Sequence, residues 1–135
     1  KYTAKTEQMD TDAAVSALLD EICSSPLTAS ATGAYIAEHE DAWNSLLALG
    51  DTSLAYIYRQ FLSGGQVGLR GSVMHLALTE LMDGEAPEMY EGAAQPWFDD
   101  MLALARSRLE VLGADAMRLE WPKMTLLLNL SGDIK

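Results

Sequence analysis

The stretch WNSLLALGDTSLAYIYRQFLSGGQVGLRGSVMHLALTELM, from Trp43 to Met82, decides the fold. It reads as a helix, Leu49-Gly50-Asp51, a second helix, Ser63-Gly64-Gly65, and a third helix opening at Gly68-Leu69-Arg70. Leu54, Ile57, Tyr58, Phe61 and Leu62 recur at the spacing that places apolar side chains on one helical face. Gly and Asp fall where helices stop and restart, with Asp51 or Thr52 as an N-cap. In the third helix, Met74, Ala77, Leu78 and Leu81 form one stripe, while Val73, Leu76 and Met82 lie off it. A helix apolar on most sides is usually central, so this one is the expected core.

On the N-terminal side, Lys1 to Asp10 is polar and reads as the stub of a linker, leaving residues 11–135 as a single helical domain. Asp10, Thr11 and Asp12 offer caps for a first helix, which runs to about Ser24 with Val15, Leu18, Leu19, Ile22 and Cys23 inward. Ser24-Ser25-Pro26 ends it, and residues 26–33 read as a loop. A short helical piece from Ala34 to Glu38 leads through Glu38-His39-Glu40-Asp41 into the helix that carries Trp43, Leu46 and Leu47.

On the C-terminal side, residues 83–95 form the longest irregular stretch, with Asp83, Glu85, Glu88 and Glu91 around Pro87. Pro96 suits the first turn of the next helix, and Asp99 and Asp100 are expected near the positive end of its dipole. Phe98, Met101, Leu102, Ala105, Leu109 and Leu112 make its inward face, and Gly113 ends it. Ala114 to Glu120 adds a turn of helix, and Pro122 starts the last one, stopped by Ser131-Gly132. No segment shows convincing strand alternation. The expected fold is all-α, a compact bundle of about six or seven helices.

At 135 residues the chain is long enough to bury roughly 68% of its unfolded surface. Nine basic against twenty acidic side chains give a net charge of −11. That field repels nucleic acid and anionic lipid as direct partners, and its simplest role is solubility. No apolar run approaches the roughly 18 residues needed to span a bilayer, so no membrane insertion is expected of this segment. Because the chain begins at Lys1, it reads as a trimmed piece or mature fragment of a longer protein. Cys23 has no partner for a disulfide and lies on an apolar stripe, as a buried inert thiol does.

Catalytic constellations are not legible. His39 stands among acidic residues, but neighbours on a helix point apart and cannot close a metal site alone. Asp99 and Asp100 diverge by about 100° around their helix and do not face one substrate. Gly64-Gly65-Gln66-Val67-Gly68 follows a helix and lacks Lys, unlike a phosphate loop. No cofactor or metal is therefore expected. The aromatic residues are more suggestive. Tyr56 and Trp97 fall off the apolar stripes of their helices, and exposed aromatics beside acidic residues mark recognition surfaces. Tyr56, Glu85, Glu88, Tyr90 and Trp97 form the candidate interaction surface, set against the plainer reading that Tyr and Trp cover helix junctions.

Residues 49–83 resemble one HEAT-type helical pair, in Leu49-Gly50-Asp51, Leu54, Ile57 and Leu62, Leu69-Arg70, and Ala77 and Leu81. Ala55 stands where such repeats often carry Pro. The resemblance implies that Asp51 pairs with Arg70 across the turn; a single unit falls short of the three or so a solenoid needs. More loosely, Ala34-Tyr35-Ile36-Ala37-Glu38-His39, residues 42–51, Gly68-Leu69-Arg70-Gly71 and Trp121-Pro122-Lys123-Met124 resemble a soluble helical region of exported or membrane-anchored proteins of Gram-positive gut bacteria. Some of those are similar to beta-lactam-sensing transmembrane metallopeptidases. Neither their His-Glu-x-x-His zinc motif nor a Ser-x-x-Lys pattern occurs here, so no catalytic residue carries over. The expected function is a non-catalytic interaction or sensory module of a larger extracytoplasmic protein, with an unknown protein or small-ligand partner. A free-standing cytoplasmic scaffold, or a hydrolase or metalloprotein, is the alternative.

Overall fold

The computed structural model describes residues 4–27, 31–88 and 93–135. Among them it is all-helical, with eight helices and no strand. They are α1 (Ala4–Ile22), α2 (Thr32–Glu38), α3 (Glu40–Ala48), α4 (Asp51–Leu62), α5 (Gly68–Leu81), α6 (Ala94–Leu112), α7 (Ala114–Glu120) and α8 (Pro122–Leu130). The first helix starts well before the expected cap at Asp10 to Asp12, so much of the expected linker stub is helix.

α5 is the centre, as its all-round apolar pattern predicts. Gly71, Val73, Met74, His75, Ala77 and Leu78 are buried, and α1, α2, α3, α4 and α6 all pack against it. α4 lies alongside it and turns Tyr58 and Phe61 toward Phe98 of α6, the two Phe rings stacking at 4.9 Å. One hydrophobic cluster runs from Val15 on α1 through α5 to Met124, Leu127 and Leu128 on α8. Full burial of each such side chain contributes about 1.5–3 kcal/mol, so this cluster is the main source of stability.

The breaks are local chemistry. Gly113 separates α6 from α7 at φ +83°, a region an L side chain rarely adopts. Gly71 is demanded by crowding instead: a Cβ there would stand 2.8 Å from the Gln66 carbonyl oxygen. α8 starts with Pro122 and is capped from a distance. Both carboxylate oxygens of Glu85 accept from its first N–H groups, Lys123 N and Met124 N, each at 2.9 Å.

Candidate functional site

The residues expected to form one interaction surface do not form one. Tyr56 and Trp97 are buried, at 7% and 1% exposure. Both lie off their helices' main stripes, but α4 and α6 are flanked by neighbours on more than one side, so the off-stripe positions are covered too. Tyr56 turns its hydroxyl toward Arg70, 3.4 Å from Nη2. The Trp97 ring packs tilted against that of His75, with centroids 4.2 Å apart. Glu85 is committed to α8, which leaves Glu88 as the exposed member of the set. Tyr90 lies outside the described residues.

Asp51 and Arg70 do not pair. Arg70 reaches back to α1, donating to Asp20 at 2.6 Å and to Ser16 at 3.1 Å. Asp51 accepts from Lys123 Nζ at 2.8 Å, a bond that raises the lysine pKa. α1 packs on both α4 and α5 and brings Asp20 within reach of Arg70. The turn is held by side chains from outside the pair. Asp99 and Asp100 also change role. α6 begins at Ala94, which places them in the second turn, where the dipole has faded. Asp99 accepts from Gln95 instead, at 2.8 Å.

Cys23 is half-buried, and burial pushes its thiol pKa up despite the nearby Arg70 guanidinium. Its thiol stays protonated and unreactive at neutral pH. Burial likewise lowers the His75 pKa, so that ring is neutral. The His39 Nε2 lies 2.8 Å from the Ser25 hydroxyl, a link between loop and helix that sequence spacing did not reveal. Beside it, a cleft of about 300 Å³ is lined by Glu21, Glu38, His39, Glu40 and Asp41. No group of three or more potential metal ligands converges among the described residues.

Two features remain. Val111, near the end of α6, and Leu119, near the end of α7, are 82% and 85% exposed, with Leu112 beside Gly113 at 39%. Nearby, the Arg108 guanidinium sits 3.9 Å over the Trp121 ring, and Arg106 and Arg118 pair with Asp133 and Asp115. At the other end of α6, an uncharged cleft of about 300 Å³ opens between the starts of α5 and α6.

No protein-family model, curated protein or solved structure matches this chain. The fold thus defines a class, an all-α helical domain, and no described helix is long and apolar enough to cross a membrane.

Proposed function

We propose that this chain is a non-catalytic interaction module that docks a protein partner through the α6–α7 corner. The observation that carries this is the pair of almost fully solvated side chains Val111 and Leu119, with Leu112 between them in sequence. Single exposed apolar residues are ordinary, whereas three within the nine consecutive residues 111–119 favour a contact surface. Covering each on docking contributes about 1.5–3 kcal/mol.

Charge is distributed unevenly along the chain. Residues 94–135 carry six acidic and five basic side chains, against fourteen acidic and four basic in residues 1–93. This third of the chain is nearly balanced in charge, and Glu110 and Glu120 are exposed directly beside Val111 and Leu119. The string resemblance supports an exported or membrane-anchored bacterial parent, with the module outside the cytoplasm. A topology reporter fused to the full-length protein tests that setting.

The docking claim is tested by the double substitution Val111→Glu and Leu119→Glu in the full-length protein. Both positions face solvent, so the fold and its melting temperature are expected to hold. The partner-bound species, measured by native mass analysis of gently purified material, is expected to fall at least tenfold. An unchanged bound fraction overturns the proposal.

A further inference from the structure

α5 gives way to a tight turn at Asp83-Gly84. Met82 is the C-cap, Asp83 follows with φ +52° and Gly84 with φ +84°. Two successive positive φ values account for both identities. Gly takes a positive φ without steric penalty, and Asp is among the few other residues that tolerate one. Both residues are exposed.

The turn is therefore built from a chemically reactive pair. Asp83 is the one aspartate of the chain that precedes a glycine. A glycine nitrogen has no Cβ beside it to hinder approach of the preceding side chain. Among the described residues the Gly84 N–H makes no hydrogen bond, while Asp83 N and Glu85 N on either side donate to the Glu80 and Met82 carbonyls at 3.4 and 3.0 Å. Every other aspartate is followed by a residue with a side chain. After Asp51 and Asp133 the next nitrogens, Thr52 N and Ile134 N, are also held, each donating to a backbone carbonyl at 3.1 Å.

We propose that Asp83-Gly84 is a self-modification site, at which the chain closes to a succinimide and reopens as isoaspartate, loosening the cap on α8. Rotation within Asp83 brings its carboxyl carbon onto the Gly84 nitrogen. A C–N bond forms, the carboxyl C–OH bond breaks, and the hydroxyl leaves with the amide proton as water. The five-membered ring then takes up one water. Addition at the side-chain carbonyl breaks its bond to nitrogen and restores aspartate. Addition at the main-chain carbonyl breaks that C–N bond instead, and leaves the chain running through the side-chain carbon. The water lost and the water gained cancel, so the product keeps the original mass. No oxidant, reductant or cofactor enters.

The consequence falls on α8. Isoaspartate lengthens the main chain by one carbon, two residues before Glu85, whose carboxylate holds Lys123 N and Met124 N. After Asp51, the Asp83 and Glu85 carboxylates also raise the Lys123 pKa, which places the turn beside the start of α8. Met82 is fully buried, and Ala86 is packed against the core. Extra length between those two anchors is taken up by the residues between them, and Glu85 is one of these. The site does not involve Val111 or Leu119, so this proposal and the docking proposal fail independently.

The test holds the purified protein at physiological temperature and mildly acidic pH. Electron-transfer fragmentation of the tryptic peptide 71–106 separates isoaspartate from aspartate at equal mass. Isoaspartate is expected at position 83 at least tenfold above any other aspartate. Asp83→Glu, which would have to close a six-membered ring, is expected to abolish the product while keeping the charge. Gly84→Ala is expected to slow it at least tenfold. The isoaspartyl form, separated by ion exchange, is expected to exchange the Lys123 and Met124 amide protons at least tenfold faster than fresh protein, with α6 unchanged. No isoaspartate at position 83, or comparable levels at several aspartates, overturns the proposal. Product at position 83 with unchanged exchange at both amides overturns its effect on α8.

Discussion

His75 and Trp97 show how a residue's role depends on the second helix it meets. Trp97 reads from its own helix as peripheral, yet its ring meets that of His75, tilted, at 4.2 Å inside the molecule. Burial is what lowers the His75 pKa. The folded chain therefore favours the neutral ring, while the unfolded chain titrates near the ordinary value of about 6.5. Stability from this residue is fully present above that value and is lost as pH falls through the lowered folded pKa. Urea midpoints are expected to drop between about pH 7 and pH 5, and His75→Phe is expected to remove part of that drop. An identical pH dependence in the variant would mean that His75 does not contribute. Trp97→Ala is expected to cost about 3–5 kcal/mol, as loss of a fully buried indole does, measured by chemical denaturation. A cost below about 1 kcal/mol would contradict its place in the core. Sequence periodicity could not show this burial, because it sees one helix at a time. The close fit of Gly71 against Ala94 was the available signal, as small residues at one level of two helices mark a close crossing.

At the scale of elements, most of the helices were legible because their signals are local. Gly50, Gly113 and Pro122 sit at the expected breaks, and α5 is central for the reason its pattern gives. Long-range polar links were not legible. Arg70 has a side chain long enough to choose among α1, α4 and its own turn, and packing of α1 decides for Asp20. The acidic loop held another such link, since Glu85 is far in sequence from the helix it caps. Glu85→Ala is expected to destabilise the fold by about 1–2 kcal/mol, the usual cost of losing a helix cap. Glu85→Gln, which retains one acceptor oxygen, is expected to cost less; thermal melts of both variants decide. Gly113 has φ +83° and ψ 163°, backbone that is essentially restricted to glycine. Gly113→Ala is expected to cost about 1–3 kcal/mol and to disturb the α6–α7 corner. Amide exchange in α7 reports both effects, and unchanged exchange would show that the turn tolerates a side chain.

At the scale of the whole molecule, composition announced an acidic domain, and the sequence distributes that charge unevenly. The first two-thirds of the chain holds most of the acid, while the C-terminal third is close to balanced and carries the exposed corner. The sequence reading placed the recognition surface on aromatics beside the acidic loop. Packing buries Tyr56 and Trp97 and leaves exposed aliphatic side chains elsewhere. Val111 and Leu119 could not be singled out by spacing, because exposure at a helix end depends on what the chain does after Gly113. The docking claim is tested most directly by a photo-crosslinking amino acid placed at Leu119 in the full-length protein in its native cells, with the same group at exposed Ala17 on α1 as control. A single discrete adduct from position 119, absent from position 17, is predicted. No adduct from position 119, or the same adducts from both positions, would contradict docking through the α6–α7 corner.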